Sequence, residues 1–268
     1  MNLEICSLAS GSSGNCYLIR SESTAILVDA GISCRQICLG LRELGVQPSE
    51  LAGVFITHEH SDHVKGLRVL AEKHSVPVYI NEATLLAAGL DLYKIRAVLF
   101  EAGEMLQIGD ITVKSFPLSH DAADPVGYSV EKDGAKISIV TDTGTVTEAI
   151  RNAMRKADVL VLESNHDESV LRMGRYPWFL KQRILSDKGH LSNESAASAL
   201  AEVLLEEQEL GELTPRTVLL AHLSAENNFP EMALMTMQNI LEANGFSVNR
   251  DIWIETLPRN GRSPLFTV

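Results

Sequence analysis

Six short apolar runs in this chain each lead to a side chain that can bind a metal or move a proton. Residues 25–28 end at Asp29, 54–57 at His58, 137–141 at Asp142, 159–162 at Glu163 and 217–221 at His222, and 111–118 lead to His120. Short runs rich in β-branched residues read as buried strands. Helical patterns lie between them over residues 146–156, 195–210 and 230–243, the last with Gly245 as its stop. Interleaved strands and helices predict an α/β class with both sheets covered by helices. Polar residues at the ends of such strands would gather on one edge of the sheets, where open α/β proteins commonly carry their sites.

The densest of these ends is His58-Glu59-His60-Ser61-Asp62-His63, three imidazoles and a carboxylate within one stretch. These are donors that zinc, manganese and iron prefer. With 8 His in 268 residues, H-x-H-x-D-H arises by accident about 3 times in 10,000 such chains, so it is a specific motif. Residues 64–73 read as a helix with Ser61 or Asp62 near its N-cap, which puts the donors on a strand-to-helix turn. His58 and His60, two apart, can converge on one metal; Asp62 and His63, on the turn beyond, can reach a second. The alternative is a solvated turn with a capping Asp.

Composition narrows the class. A chain of 268 residues with 45% hydrophobic content can bury a substantial core. The four cysteines, Cys6, Cys16, Cys34 and Cys38, form no C-x-x-C pair, which predicts a reducing compartment and packed free thiols. Cys34 and Cys38 are four apart and can share a helix face, with core packing the expected use. The opening residues run directly into a strand-like segment, without a signal sequence, and no apolar stretch is long enough to span a membrane. A cytoplasmic protein is expected. A net charge of −12 argues against a general nucleic-acid coat, but not against a nuclease whose metals and a local basic patch receive phosphates.

His120, Asp142 in Thr141-Asp142-Thr143-Gly144, and His222 in Ala221-His222-Leu223-Ser224 follow the hexapeptide in that order. The whole series resembles the metallo-β-lactamase superfamily over nearly the full chain. The resemblance implies an αβ/βα sandwich, two mixed sheets flanked by helices, in one domain over residues 1–268. It implies two divalent metal ions, zinc or manganese: one on His58, His60 and His120, the other on Asp62, His63 and His222, with Asp142 bridging. Asp29 matches the superfamily's supporting Asp, which orients a ligand. Two such ions can hold a bridging hydroxide and stabilise charge on a phosphoryl oxygen. His74 has no comparable setting and is expected to be structural or exposed.

Three further segments bear on the substrate, which a fold does not fix. The Gly/Ser turn over residues 10–15, with Ser12 and Ser13, is either a hairpin turn or a backbone nest near a phosphate. Glu163 and His190, in Leu162-Glu163-Ser164 and Gly189-His190-Leu191-Ser192-Asn193, look like the paired elements of the tRNase Z-like branch. There a Glu positions a His that protonates the leaving oxygen; Ser192 and Asn193 follow as candidate substrate contacts. The alternative is that His190 or Ser192 only starts the next helix. Residues 171–190 hold Arg172, Arg175, Lys181, Arg183 and Lys188 against Asp187, with Tyr176, Trp178 and Phe179 interleaved. That segment can track a nucleic-acid backbone and stack a base, with Arg175 and Lys181 as contacts, or it is an ordinary charged loop. Asn165-His166-Asp167 can supply a further ligand or a substrate contact.

Together with His222-Leu223-Ser224-Ala225-Glu226-Asn227-Asn228, these segments look like the YycJ/WalJ-type proteins of bacteria. The resemblance implies a 5′-to-3′ exonuclease with Asp62, Glu163 and His190 in catalysis, DNA favoured over RNA, and a place in DNA repair. The related RNase J-like nucleases carry an inserted β-CASP domain. About 80 residues between Asp142 and His222 are too few for one beside the segments assigned there. A homo-oligomer is compatible with this reading. The competing readings are a small-molecule hydrolase of the same fold, such as a glyoxalase II-like thioesterase or a cyclic-nucleotide phosphodiesterase, and a non-catalytic metal-binding partner protein.

Overall fold

A computed structural model describes residues 3–268; Met1 and Asn2, at the head of the expected opening strand, lie outside the described residues. The chain divides into two compact units. One comprises the described residues up to Pro117 with Ala122–Ala135 and Pro258–Val268, the other Leu118–Asp121 and Lys136–Leu257.

The first unit contains strands β1 (Glu4–Ala9), β2 (Cys16–Arg20), β3 (Ala25–Val28), β4 (Leu51–Phe55), β5 (Val78–Ile80) and β6 (Ala97–Leu99), closed at one edge by β14 (Phe266–Thr267). The sheet order is β14-β1-β2-β3-β4-β5-β6. β14 to β3 pair antiparallel, and β3 to β6 pair parallel. Parallel neighbours need crossovers, and the helices α1 (Cys34–Glu43), α2 (Ser61–Val64), α3 (Leu67–His74) and α4 (Glu82–Ala87) lie in them. Ile37 and Leu41 of α1 and Leu67, Leu70 and Ala71 of α3 bury one face of each helix among Leu18, Leu27, Val54 and Val78 of the sheet. The unit also holds an antiparallel meander of β7 (Met105–Ile108), β8 (Ile111–Pro117) and β9 (Val126–Lys132).

The second unit centres on four parallel strands, β10 (Ala135–Val140), β11 (Val159–Glu163), β12 (Arg216–Ala221) and β13 (Ile252–Thr256). β11 and β12 are buried along their whole lengths apart from Thr217, as strands covered on both faces must be. Its helices are α5 (Glu148–Met154), α6 (Glu168–Met173), α7 (Trp178–Ile184), α8 (Asn193–Glu209) and α9 (Pro230–Ala243). Thr147, Asp167 and Ser192 cap α5, α6 and α8 by accepting from backbone N–H groups three residues on.

Two local expectations change. The helix expected over residues 64–73 is two helices, α2 and α3, separated at Gly66, whose N–H is drawn away to the Ala30 carbonyl at 2.8 Å. Ser61 is the first helical residue rather than the cap, and no side chain caps α2 at His60. Among the described residues, no helix is long and apolar enough to cross a membrane.

Three chemistry-bearing residues stand in the left-handed region just past a strand: Asp29 (φ 61°) after β3, and Asp142 (φ 62°) and His222 (φ 56°) after β10 and β12. Left-handed backbone is uncommon for residues other than glycine, though Asn, Asp and His are the exceptions. Such strain is held only where the surroundings over-determine it, characteristically at functional sites.

Candidate metal centre

In the first unit, Asp29 and His58 follow the neighbouring parallel strands β3 and β4, so both reach the same sheet edge. Asp29 is fully buried. Its carboxylate accepts from the Thr57 N–H at 2.9 Å and lies 2.7 Å from His63 Nδ1. Burial pushes the Asp29 carboxyl up, against the opposing pull of His63 and Thr57. Donation from Nδ1 to Asp29 leaves Nε2 of His63 as the lone-pair nitrogen, the tautomer a metal ligand needs. That Nε2 lies 3.6 Å from an Asp62 oxygen. The Thr57 hydroxyl contacts Asp29, His58 Nδ1 and His63 Nδ1 at about 3 Å, so one side chain sets three others.

His58 Nε2 and His60 Nδ1 converge to 3.0 Å. An ion bound by nitrogens at about 2.0–2.1 Å holds neighbouring donors about 2.9 Å apart at right angles and about 3.3 Å apart at tetrahedral angles. The pair fits that span.

The Gly/Ser turn holds this edge. Asn15 accepts from the Gly11 N–H through Oδ1 at 2.9 Å, and its own N–H donates to the Asp62 carbonyl at 2.8 Å. Its Nδ2 faces His63 Nε2 at 3.1 Å. Gly31 fits only because it lacks a Cβ, which would overlap the Asp62 carbonyl. Ser12 and Ser13 are exposed at the tip of the turn.

In the second unit, Asp142, Glu163 and His222 stand at the carboxyl ends of the adjacent parallel strands β10, β11 and β12. Asp142, Glu163, His190 and His222 each offer a donor atom within 4.8 Å of the others. Glu163 Oε1 lies 2.8 Å from His190 Nδ1 and 2.9 Å from His222 Nδ1, while its Oε2 accepts from the Thr143 N–H at 3.0 Å. Asp142 Oδ1 is 3.4 Å from His222 Nδ1 and 3.6 Å from His190 Nδ1. Burial alone would raise the Glu163 carboxyl, but the His190 charge and the bonds from His190 and His222 outweigh it and bring it down to about 2. For His190, burial lowers the imidazole pKa, and the Glu163 charge and hydrogen bond more than reverse that.

His120 donates from Nδ1 to the Gly189 carbonyl at 3.1 Å, which again leaves Nε2 as the lone-pair nitrogen. Burial lowers its pKa against the pull of Asp142, favouring the neutral ring a metal requires. Gly189 is required here, since a Cβ would run into the Ile184 and Arg183 carbonyls.

Other residues singled out in the sequence are used differently. Lys181 is buried, and its ammonium donates to the Arg172 and Gly174 carbonyls at 2.7 Å each. Its charge fastens the turn between α6 and α7, a correction to the expected nucleic-acid contact. Ser192 caps α8. Asn193 is buried in an amide pair with Asn228 and accepts from Ser164 Oγ at 2.6 Å. Both side chains are engaged within the fold, a correction to the expected substrate contacts. Arg175 is exposed, as are Trp178 (63%) and Phe179 (73%) of α7, an open cationic and aromatic surface. His166 is buried, with its ring pKa lowered to about 4 by burial. In the sequence, Asn15 shows only as the end of the Gly/Ser turn and Thr57 only as the residue between the apolar run and His58.

Comparison with known proteins fits this geometry. The family model of the β-lactamase superfamily domain matches residues 24–222. The chain belongs to the β-lactamase superfamily. It is 42% identical over 251 residues to exodeoxyribonuclease YycJ of Bacillus anthracis, covering 92% of each chain. It is 41% identical over 263 residues to exodeoxyribonuclease WalJ of Streptococcus pneumoniae serotype 2 (strain D39 / NCTC 7466), covering 96% of this chain and 95% of that one. The metallo-β-lactamase fold protein YhfI of Bacillus subtilis superposes with a TM-score of 0.72 at 15% identity over the whole of both chains, a likeness of fold alone. The fold is thus that of the superfamily, two mixed β-sheets flanked by helices. The superfamily is one of metal-dependent hydrolases, and the His and Asp clusters of this chain are candidate sites for divalent ions.

Proposed function

We infer that this chain is a metal-dependent phosphodiesterase that degrades DNA from a 5′ end, operating as a single metallo-β-lactamase-fold domain without a β-CASP insertion. The observation that carries the reading is the buried Glu163 carboxylate 2.8 Å from His190 Nδ1, with Asp142 3.6 Å from the same nitrogen. An alkoxide leaving from a phosphodiester needs a proton, and a charged, oriented imidazole supplies one. A thiolate leaving from a thioester needs none, so the pair favours phosphodiesters. The identity of 41–42% to chains named exodeoxyribonucleases supports DNA as the polymer.

The donor sets fit divalent ions, being imidazole and carboxylate throughout. Carried over residue by residue, His58, His60 and His120 would hold one ion and Asp62, His63 and His222 a second, with Asp142 shared. Zinc or manganese there would polarise a phosphoryl oxygen and lower the pKa of the attacking water. Asp29 and Thr57 hold the imidazoles in the ligating tautomer. Glu163 keeps His190 protonated, and Nε2 of His190 is left to donate to the departing 3′ oxygen. Arg175, Trp178 and Phe179 receive the strand, the guanidinium on phosphate and the rings against bases. Ser12 and Ser13 offer hydroxyls to a phosphate.

The test is purified protein stripped with chelator and reloaded with zinc or manganese. It is offered end-labelled DNA and RNA beside a thioester and a simple phosphodiester. Metal-dependent loss of DNA, with Asp142→Ala inactive and short of one ion per chain, is the expected result. Preferred thioester hydrolysis would replace this reading with a small-molecule one.

A further inference from the structure

Away from those donors, the first unit brings together two thiols and an imidazole that the hydrolase reading does not use. Cys34 opens α1, Cys38 stands one turn on, and His74 is the last residue of α3. Cys34 Sγ and Cys38 Sγ are 3.8 Å apart, and Cys38 Sγ is 3.6 Å from His74 Nε2. All three donor atoms lie within 4.8 Å of one another, and all three side chains are half-buried, so the cluster is open to solvent ions.

These separations match the edges of a coordination tetrahedron. With zinc–sulfur bonds of about 2.3 Å and zinc–nitrogen bonds of about 2.0–2.1 Å, tetrahedral angles place two sulfurs about 3.8 Å apart and a sulfur and nitrogen about 3.6 Å apart. A disulfide needs about 2.05 Å between sulfurs, far inside the 3.8 Å found. The backbone already holds the donors in place, because Ile37 and Leu41 anchor α1 and Leu67, Leu70 and Ala71 anchor α3 in the same core.

We propose that Cys34, Cys38 and His74 form a second kind of metal site, taking one thiophilic ion of the zinc class with solvent in the fourth position. Thiolate donors select such ions, whereas the hydrolase donors are nitrogen and oxygen only. Binding releases the two thiol protons to water and forms two metal–sulfur bonds and one metal–nitrogen bond. The ion would staple α1 to α3 at the surface.

The test uses the full-length reduced protein titrated with cadmium, a spectroscopic substitute for zinc. A sulfur-to-metal charge-transfer band should appear and saturate at one ion per chain. Because the hydrolase donors contain no sulfur, His58→Ala should leave that band intact, which separates this site from the hydrolase reading. Cys34→Ser and Cys38→Ser should each weaken the titration by more than the roughly tenfold that loss of an outer-shell partner costs. The double variant should abolish the band while keeping metal-dependent hydrolysis. His74→Asn should weaken binding and keep the band. Absence of any sulfur band at saturating cadmium would overturn the proposal. So would a band that survives in the double variant, which would assign it to Cys6 or Cys16.

Discussion

Glu163 Oε1 and His190 Nδ1 stand 2.8 Å apart, with Glu163 fully buried at the end of β11 and His190 19% exposed at its side chain. The same oxygen lies 2.9 Å from His222 Nδ1, so the buried charge sits between two imidazoles. The second carboxylate oxygen is held by the Thr143 N–H at 3.0 Å and the Leu191 N–H at 3.3 Å. The ring is therefore fixed in position, with Nδ1 turned to the carboxylate.

From this follows a leaving-group test. His190→Ala should keep its metals yet lose roughly 10²–10⁴ in turnover on DNA, the usual worth of general acid catalysis. The defect should shrink on a nitrophenyl phosphodiester, whose leaving group departs without a proton. Glu163→Gln should act in the same direction and add little to His190→Ala, because the two work as a unit. An equal His190→Ala defect on both leaving groups would make His190 a phosphate clamp instead.

Asp29 bears on metal affinity rather than on the proton. Asp29→Asn keeps the shape but turns an acceptor facing His63 Nδ1, at 2.7 Å, into a neutral amide. Loss of such an outer partner costs about 10–100-fold in metal affinity. Competition titration against a chelator should read that drop. Unchanged affinity would mean that Thr57 alone orients the imidazoles.

The exposed surface formed by α7 and by Arg175 just before it predicts a split between charge and stacking. Trp178→Ala should cost about 1–3 kcal/mol of single-strand affinity with little change in salt dependence, as a stacking contact does. Arg175→Glu should weaken binding and flatten the salt slope, as loss of a phosphate contact does. Fluorescence anisotropy over a salt series separates the two, and unaltered binding in both variants would return α7 to ordinary surface.

Much of this was legible in the sequence because buried parallel strands are short apolar runs, and the residue that follows each is forced to the sheet edge. Residues 25–28 and 230–243 matched β3 and α9 to the residue, and Asp142, Glu163 and His222 stand at the strand ends expected of them. Less legible were residues 171–190, read as a cationic segment and found to contain part of α6 and all of α7. There Met173, Trp178 and Phe179 are apolar yet exposed, so the pattern marks no single buried face, and Lys181 behaves as a buried anchor, a role that depends on carbonyls brought near only by folding. The Cys34, Cys38 and His74 cluster was hidden for a similar reason. The shared helix face of the two thiols could be read, but His74 lies 36 residues beyond Cys38 and meets it only when α1 and α3 pack.

The most direct test of the central claim compares one DNA strand in two forms, linear with a labelled 5′ end and covalently closed into a circle, each incubated with the manganese- or zinc-loaded protein. A 5′ exonuclease should release the label from the linear strand as a mononucleotide at the earliest times and leave the circle whole. Cutting of the circle, or a linear strand that shortens while its 5′ label stays on the polymer, would contradict it.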